Sequence, residues 1–341
     1  MRRAAGVMLV ALAGCSPLPI DTETVPQRPT IVRTVEPWTY AGREGRVIET
    51  DHFRIFTTIP DSILLDRFPR FAEVALEHYT RALGPLPKPE QRLDAFVMGS
   101  RSQWASLTRQ VTGPLASTYL QIERGGYAFD GQGLYFDIGP RDTLAIASHE
   151  GWHQFTQATF KHPLPIWLEE GIASYMEGFV WSEVDRSMPE FRPWANPERY
   201  EQLRELVGRG RAVSLPELLR SRPQDLLRKP GEATLDFYAQ SWALVHALAD
   251  NRLGGEPGAL RELVRDAAEG RLFSTVARAT DPRRAALEIN GRIGSAVFET
   301  YFGMTPEQAD PLYQRFIRDV SSPGARGSIT RGERPAVLLR R

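Results

Sequence analysis

Apolar and polar positions first alternate and then fall into helical stripes along this chain. Over 47–58, His52, Arg54 and Phe56 alternate with Phe53, Ile55 and Thr57, which predicts a strand. Over 64–83, Phe68, Phe71, Ala75, Leu76 and Tyr79 fall on one stripe of a predicted helix, and Gly84-Pro85 and Pro87 stop it. A second strand over 92–98 and a short helix over 102–111 follow. In 125–138, Leu134, Phe136 and Ile138 alternate with Tyr135 and Asp137, and Asp130-Gly131-Gln132-Gly133 marks the turn of a hairpin. A helix from 142 to about 160 comes next, with Asp142 or Thr143 as its cap. His162-Pro163-Leu164-Pro165 breaks it, and Pro165 suits the first turn of a helix over 166–179.

Beyond that point the pattern changes. Residues 180–232 are rich in Pro, Arg and Trp and weakly periodic, with short helices expected at 203–207 and 216–220 and a place beside the cleft. Strong helical periods return over 235–248, 257–268, 285–302 and 306–320, punctuated by Asp281-Pro282 and Gly303. Residues 321–341 carry little apolar content before Val337-Leu338-Leu339 and read as a disordered tail. The fold class is therefore α+β. A unit over 46–180 carries a small mixed sheet, and a mainly helical part over 181–320 completes the cleft.

The first 45 residues follow neither period. Arg2 and Arg3 precede a short apolar run, Val7 to Ala13, too short to span a bilayer. Leu12-Ala13-Gly14-Cys15 then resembles a bacterial lipobox, in which cleavage before the cysteine is coupled to its lipidation. On that reading 1–14 is a lipoprotein signal peptide, Cys15 is the lipidated residue, and the protein is lipid-anchored at the cell envelope. Each buried methylene of the acyl chains contributes about 0.8 kcal/mol of anchoring. Ser16 after the cysteine, instead of Asp, resembles the outer-membrane sorting pattern. Residues 15–45, with Pro17, Pro19, Pro26, Pro29 and Pro37, read as an extended tether holding the folded part off the bilayer.

Composition narrows the function classes. The chain has 341 residues, 42% hydrophobic and 25% charged, which is ordinary for a globular protein. Lys+Arg and Asp+Glu both total 42, so the formal net charge is zero and no basic field points to nucleic acid. Cys15 is the sole cysteine, which excludes an intrachain disulfide.

The chemistry concentrates in His149-Glu150-Gly151-Trp152-His153, an H-E-x-x-H pentad inside the helix predicted over 142–160. Residues four apart share a helix face, so both imidazoles can bind one metal ion and Glu150 can reach a water there. His52, His78 and His246 lie on predicted elements without metal-ligand spacing and read as surface or packing residues, and His162 as a turn residue. On the following helix stands Trp167-Leu168-Glu169-Glu170-Gly171-Ile172-Ala173. Periodicity does not choose between Glu169 and Glu170. Glu170 shares a face with Ile166 and Ala173, Glu169 with Ile172 and Met176.

The pentad together with this second segment resembles the gluzincin metallopeptidases, and among them the bacterial peptidase-MA-like proteins. The resemblance implies that His149, His153 and Glu170 hold one zinc ion and that Glu150 is the general base in hydrolysis of a peptide or protein substrate. Two His and one carboxylate is the ligand set of a catalytic zinc with an open position. The resemblance also implies a later tyrosine that stabilises the oxyanion, for which Tyr238 is the candidate, a core tyrosine being the plain alternative. It assigns the strand before the pentad to substrate binding by strand addition, against a simple core strand. No G-x-M-E-N-like segment is present to anchor a substrate amine as an aminopeptidase would. The competing class is a catalytically silent zinc-binding lipoprotein that serves as a binding or scaffold module.

Overall fold

Phe53, Ile55 and Thr57 point to one side of a strand and are buried there, as their alternation requires. The computed structural model describes residues 31–60, 62–226 and 232–340. Strands β1 (Thr34–Tyr40), β2 (Arg43–Glu49) and β3 (Phe53–Thr57) lead into α1 (Ile63–Ala82) and β4 (Leu93–Met98). Helices α2 (Arg101–Thr112) and α3 (Ala116–Tyr119) precede the hairpin β5 (Gly126–Phe129) and β6 (Gln132–Phe136). These six strands form a mixed sheet in the order β1-β2-β3-β4-β6-β5. β3, β4 and β6 are parallel, and antiparallel strands flank them on both sides.

Helices α4 (Pro140–Thr159) and α5 (Ile166–Met176) follow, then a small hairpin of β7 (Phe179–Trp181) and β8 (Pro189–Phe191). The rest is largely helical: α6 (Pro197–Gly208), α7 (Leu215–Arg220), α8 (Pro223–Leu226), α9 (Ala233–Ala249), α10 (Ala259–Glu269), α11 (Leu272–Ala279), α12 (Pro282–Gly291), α13 (Ala296–Phe302), α14 (Pro306–Val320) and α15 (Arg326–Arg331). The architecture is thus α+β, an N-terminal mixed sheet followed by a mainly helical region. Residues from Ile31 onward cluster as one compact unit, so no boundary near 180 separates two bodies.

Two glycines set the spacing of the central helices. A Cβ on Gly151 would lie 2.7 Å from the Tyr79 hydroxyl, so glycine lets α1 and α4 close on each other. Tyr79 uses that hydroxyl to donate to the Ser148 carbonyl at 2.8 Å, and Ser148 Oγ donates to the Met176 carbonyl on α5 at 2.6 Å. A Cβ on Gly171 would lie 2.6 Å from the Ser241 carbonyl, so α5 and α9 pack backbone to backbone.

Several expectations change. The single strand over 47–58 is two antiparallel strands, because Thr50-Asp51-His52 turns the chain and Phe53 N–H donates to Thr50 Oγ1. The tether expected through residue 45 is ordered at its C-terminal end, where Thr34–Tyr40 pairs along the whole of β2. Trp38 there stacks on Tyr40 and edges onto Phe56. Neither Asp142 nor Thr143 caps α4. The helix begins at Gly139-Pro140, Thr143 Oγ1 accepts from Ile138 N–H, and Asp142 pairs with Arg124. Helix α5 ends at Met176 because residues 179–181 leave it to pair with β8. The helix expected over 285–302 breaks between α12 and α13 at Arg292–Ser295, and α11 was not anticipated. The tail expected to be disordered is folded onto the body. Ile329 and Leu338 are buried, and Tyr200 donates its hydroxyl to the Ser322 carbonyl.

Among the described residues no helix is long and apolar enough to cross a membrane. Cys15 and the lipobox lie outside the described residues.

Candidate metal centre

His149 and His153 stand one turn apart on α4, their rings 5.0 Å between centroids. Across from them, on α5, Glu170 places Oε2 at 3.4 Å from His149 Nε2 and 3.3 Å from His153 Nε2. Their ligand atoms all lie within 4.8 Å of one another, a group that could hold a divalent metal ion. The side chains are 11%, 14% and 18% exposed, so the cluster is shielded from bulk water without being sealed.

The orientation of the imidazoles is held from behind. His149 Nδ1 lies 2.7 Å from Glu177 Oε1, and His153 Nδ1 lies 3.1 Å from Glu169 Oε1. An ionised carboxylate can only accept, so each Nδ1 carries a proton, and it is the Nε2 side of each ring, facing Glu170, that would give up its proton to bind a metal. This is the carboxylate–imidazole pairing that fixes the tautomer of metal-binding histidines. Glu177 is itself clamped, accepting from Arg199 Nη2 at 2.7 Å, Arg199 Nε at 3.1 Å and Asn196 Nδ2 at 2.6 Å. Glu169 Oε1 also accepts from Thr156 Oγ1 at 2.8 Å. Two imidazole nitrogens and one carboxylate oxygen, backed by two further carboxylates, form a donor set that fits zinc.

The electrostatics follow from this packing. Burial alone would lower the pKa of His149, but its hydrogen bonds with Glu170 and Glu177 outweigh burial and lift it to about 9. His153 rises well above the usual imidazole value, burial again opposed by the Glu170 charge and the Glu169 hydrogen bond. Burial would raise the pKa of Glu170, yet His153 and His149 hold it well below the carboxylate range. Glu177 falls to about 2, because Arg199 and His149 overcome its burial. The imidazoles and the carboxylates that face them thus favour each other's charged forms.

Glu150 stands apart from the ligand group. Its Oε2 accepts from Ala128 N–H on the edge strand β5 at 3.1 Å, and burial raises its pKa, with the two ligand histidines opposing. Ala128 lies opposite Gly133 in a hairpin whose turn residues Asp130 and Gly131 both have positive φ. Gln157 Nε2 reaches the Ala128 carbonyl at 3.4 Å, so α4 holds this edge strand through both of its polar groups there. Tyr238, on α9, packs its ring edge-on to His149 at 5.9 Å, under the Arg199 guanidinium at 5.2 Å. Burial and the Glu170 and Glu150 charges keep its phenol protonated far above the usual range. Of the histidines outside the pentad, His52 pairs with Glu73, His78 stacks on Phe191, and His246 is buried against Trp194.

Sequence reasoning missed Glu177, Arg199 and Asn196, and gave Glu169 no role. The one available signal was spacing, since Glu177 lies two helical turns beyond Glu170 and returns to the same side.

Comparison with known proteins places this site in a recurring segment. A family described as a protein of unknown function (DUF1570) matches residues 143–265, less than half of the chain. No curated protein matches the chain. Over the segment from α4 to α10, which contains His149, Glu150, His153, Glu170, Glu177 and Tyr238, the chain is similar to that family.

Proposed function

We propose that this protein is a zinc-dependent peptidase of the gluzincin type, held at the bacterial cell envelope by a lipid on Cys15. The observation that carries the reading is the convergence of both Nε2 atoms on Glu170 while both Nδ1 atoms are tied to carboxylates. His149, His153 and Glu170 would hold the ion. Zinc in such a site acts as a Lewis acid and brings the pKa of a water toward about 7. Glu150 takes the proton from the attacking water and returns it to the leaving amine. Ala128 N–H fixes the position of that carboxylate, and burial raises its affinity for the proton. The Tyr238 hydroxyl stays protonated and is a donor for negative charge that develops beside His149. Strand β5 lies at the edge of the sheet, and a substrate that paired with it in extended conformation would have to displace the contacts of α4 with the Ala128 N–H and carbonyl.

A second reading uses the same ligand group without turnover, as a zinc-binding module. It is favoured by the fact that the structure organises a chelating cluster in its own right, while Glu150 is already bonded to Ala128. The test is a paired measurement of zinc content and peptide cleavage in the protein and its Glu150→Gln variant.

Tyr238→Phe is expected to lower turnover roughly 10-fold or more while zinc content stays the same, since one hydrogen bond to a developing charge is removed. A turnover equal to that of the parent would make Tyr238 a packing residue against His149. For the anchor, mass spectrometry of the mature N-terminus is expected to show a diacylglyceryl adduct on Cys15. A soluble product cleaved elsewhere would remove the lipoprotein assignment.

A further inference from the structure

A cavity of about 170 Å³ opens on the Glu169 side of His153, walled by His153 and Gln157 of α4 and by Phe160, Pro163, Glu169 and Arg292. His153 belongs both to this cavity and to the ligand group. The volume is below that of a whole small-molecule pocket, roughly 300–1,000 Å³, and suits a single side chain.

Two charges line it, and their reach differs. Glu169 is 7% exposed and takes its hydrogen bonds on Oε1, from His153 and Thr156. Arg292 is 37% exposed. Its Nε donates to the Leu164 carbonyl at 2.9 Å, and its Nη2 lies 3.9 Å from Glu169 Oε2, too far for a hydrogen bond. The guanidinium makes no other hydrogen bond among the described residues. The reachable charge in the cavity is therefore positive, with planar donors to spare.

The backbone shows that this arginine is held in place. Arg292 caps α12 in the left-handed conformation, φ 54° and ψ 31°, where glycine or asparagine would sit with less strain. Its carbonyl accepts from Ile166 N–H at 2.8 Å, so the residue is bolted to the start of α5 by main chain and side chain together. A rigidly held guanidinium, ion-paired with Glu169 at 3.9 Å but with no hydrogen bond on its two terminal nitrogens among the described residues, can still donate to an incoming carboxylate.

We propose that this cavity is a substrate subsite that takes an acidic side chain, with Arg292 as its anchor. The substrate class is then acidic peptides. The inference rests on the peptidase reading, since a bound peptide would have to reach past His153, the one residue shared by the cavity and the ligand group.

The probes are degenerate hexapeptide pools in which one position is fixed in turn as Glu, Gln or Lys. Binding is read on the zinc-loaded Glu150→Gln protein, and cleavage on the unaltered protein. At one fixed position the Glu pool should bind about tenfold more tightly than the Gln pool, as expected for a hydrogen-bonded charge, with Lys weakest. Arg292→Gln should erase the Glu preference at unchanged zinc content, and Arg292→Lys should keep part of it. A Glu preference that survives Arg292→Gln, or an unaltered protein that ranks the three pools equally at every position, overturns the subsite. If Arg292→Gln does not fold, the ranking by the unaltered side chain decides alone. Absence of cleavage across all pools would remove the peptidase reading, while the binding preference still decides the subsite.

Discussion

Glu150→Gln should keep one zinc per chain and slow peptide cleavage by roughly 10²-fold to 10⁴-fold, the range for loss of a general base. The structure separates the two quantities. Glu150 is one residue from His149 on α4, but its carboxylate turns to the Ala128 amide and not to the ligand cluster. A glutamine there still presents an oxygen to that amide, so the edge strand and the helix should remain in register. It cannot take up a proton. The thermal midpoint should move little, because the Ala128 hydrogen bond is kept and His149 and His153 each keep their own carboxylate partners. Zinc content and cleavage are to be measured on the same preparations. Equal cleavage by both proteins would mean that Glu150 is not the base. Zinc in both with cleavage in neither, across a broad peptide pool, would transfer the assignment to the zinc-binding module.

Glu170→Ala should cost most of the zinc affinity, and Glu169→Ala should not. Glu170 Oε2 faces both Nε2 atoms within 3.4 Å, so its removal takes one of three ligands and leaves two histidines without their shared acceptor. The Glu169 carboxylate meets His153 Nδ1, Thr156 and, at 3.9 Å, Arg292, and neither Nε2 atom. Losing such an orienting carboxylate typically weakens a metal about 10-fold to 100-fold, so zinc stoichiometry near one should persist at saturating metal. Glu177→Gln belongs to the same class, with Arg199 and Asn196 left to hold the amide. Competition against a calibrated chelator ranks the variants. If Glu169→Ala empties the site and Glu170→Ala does not, the ligand assignment is reversed.

The pentad was legible because helical spacing alone brings His149 and His153 to one face, whatever the rest of the chain does. The alternation of Leu134 and Phe136 and the Asp130-Gly131 turn were legible for the same reason, as local geometry encodes both. The hairpin over residues 34–49 was not, because its exposed edge needs no apolar period and its order comes from pairing with β3. The C-terminal segment was hidden likewise, since a few side chains such as Ile329 and Leu338 tie it to distant partners.

By itself the sequence determined the helix pair that bears the chemistry, the three residue types at its centre, and an α+β order of elements. It left Glu169 and Glu170 equivalent, because each lies on a face of α5 that periodicity cannot tell from the other. Only the approach of α5 to α4 decided between them, aiming Glu170 at both Nε2 atoms and Glu169 behind His153. The close contact of α9 at Gly171, which brings Tyr238 against His149, was likewise a tertiary decision. So was the Glu177–Arg199 clamp. These contacts join residues far apart in the chain, and local spacing carries no information about them. Packing of whole helices sets them, and the two glycines that allow it show their purpose only once their neighbours are in place.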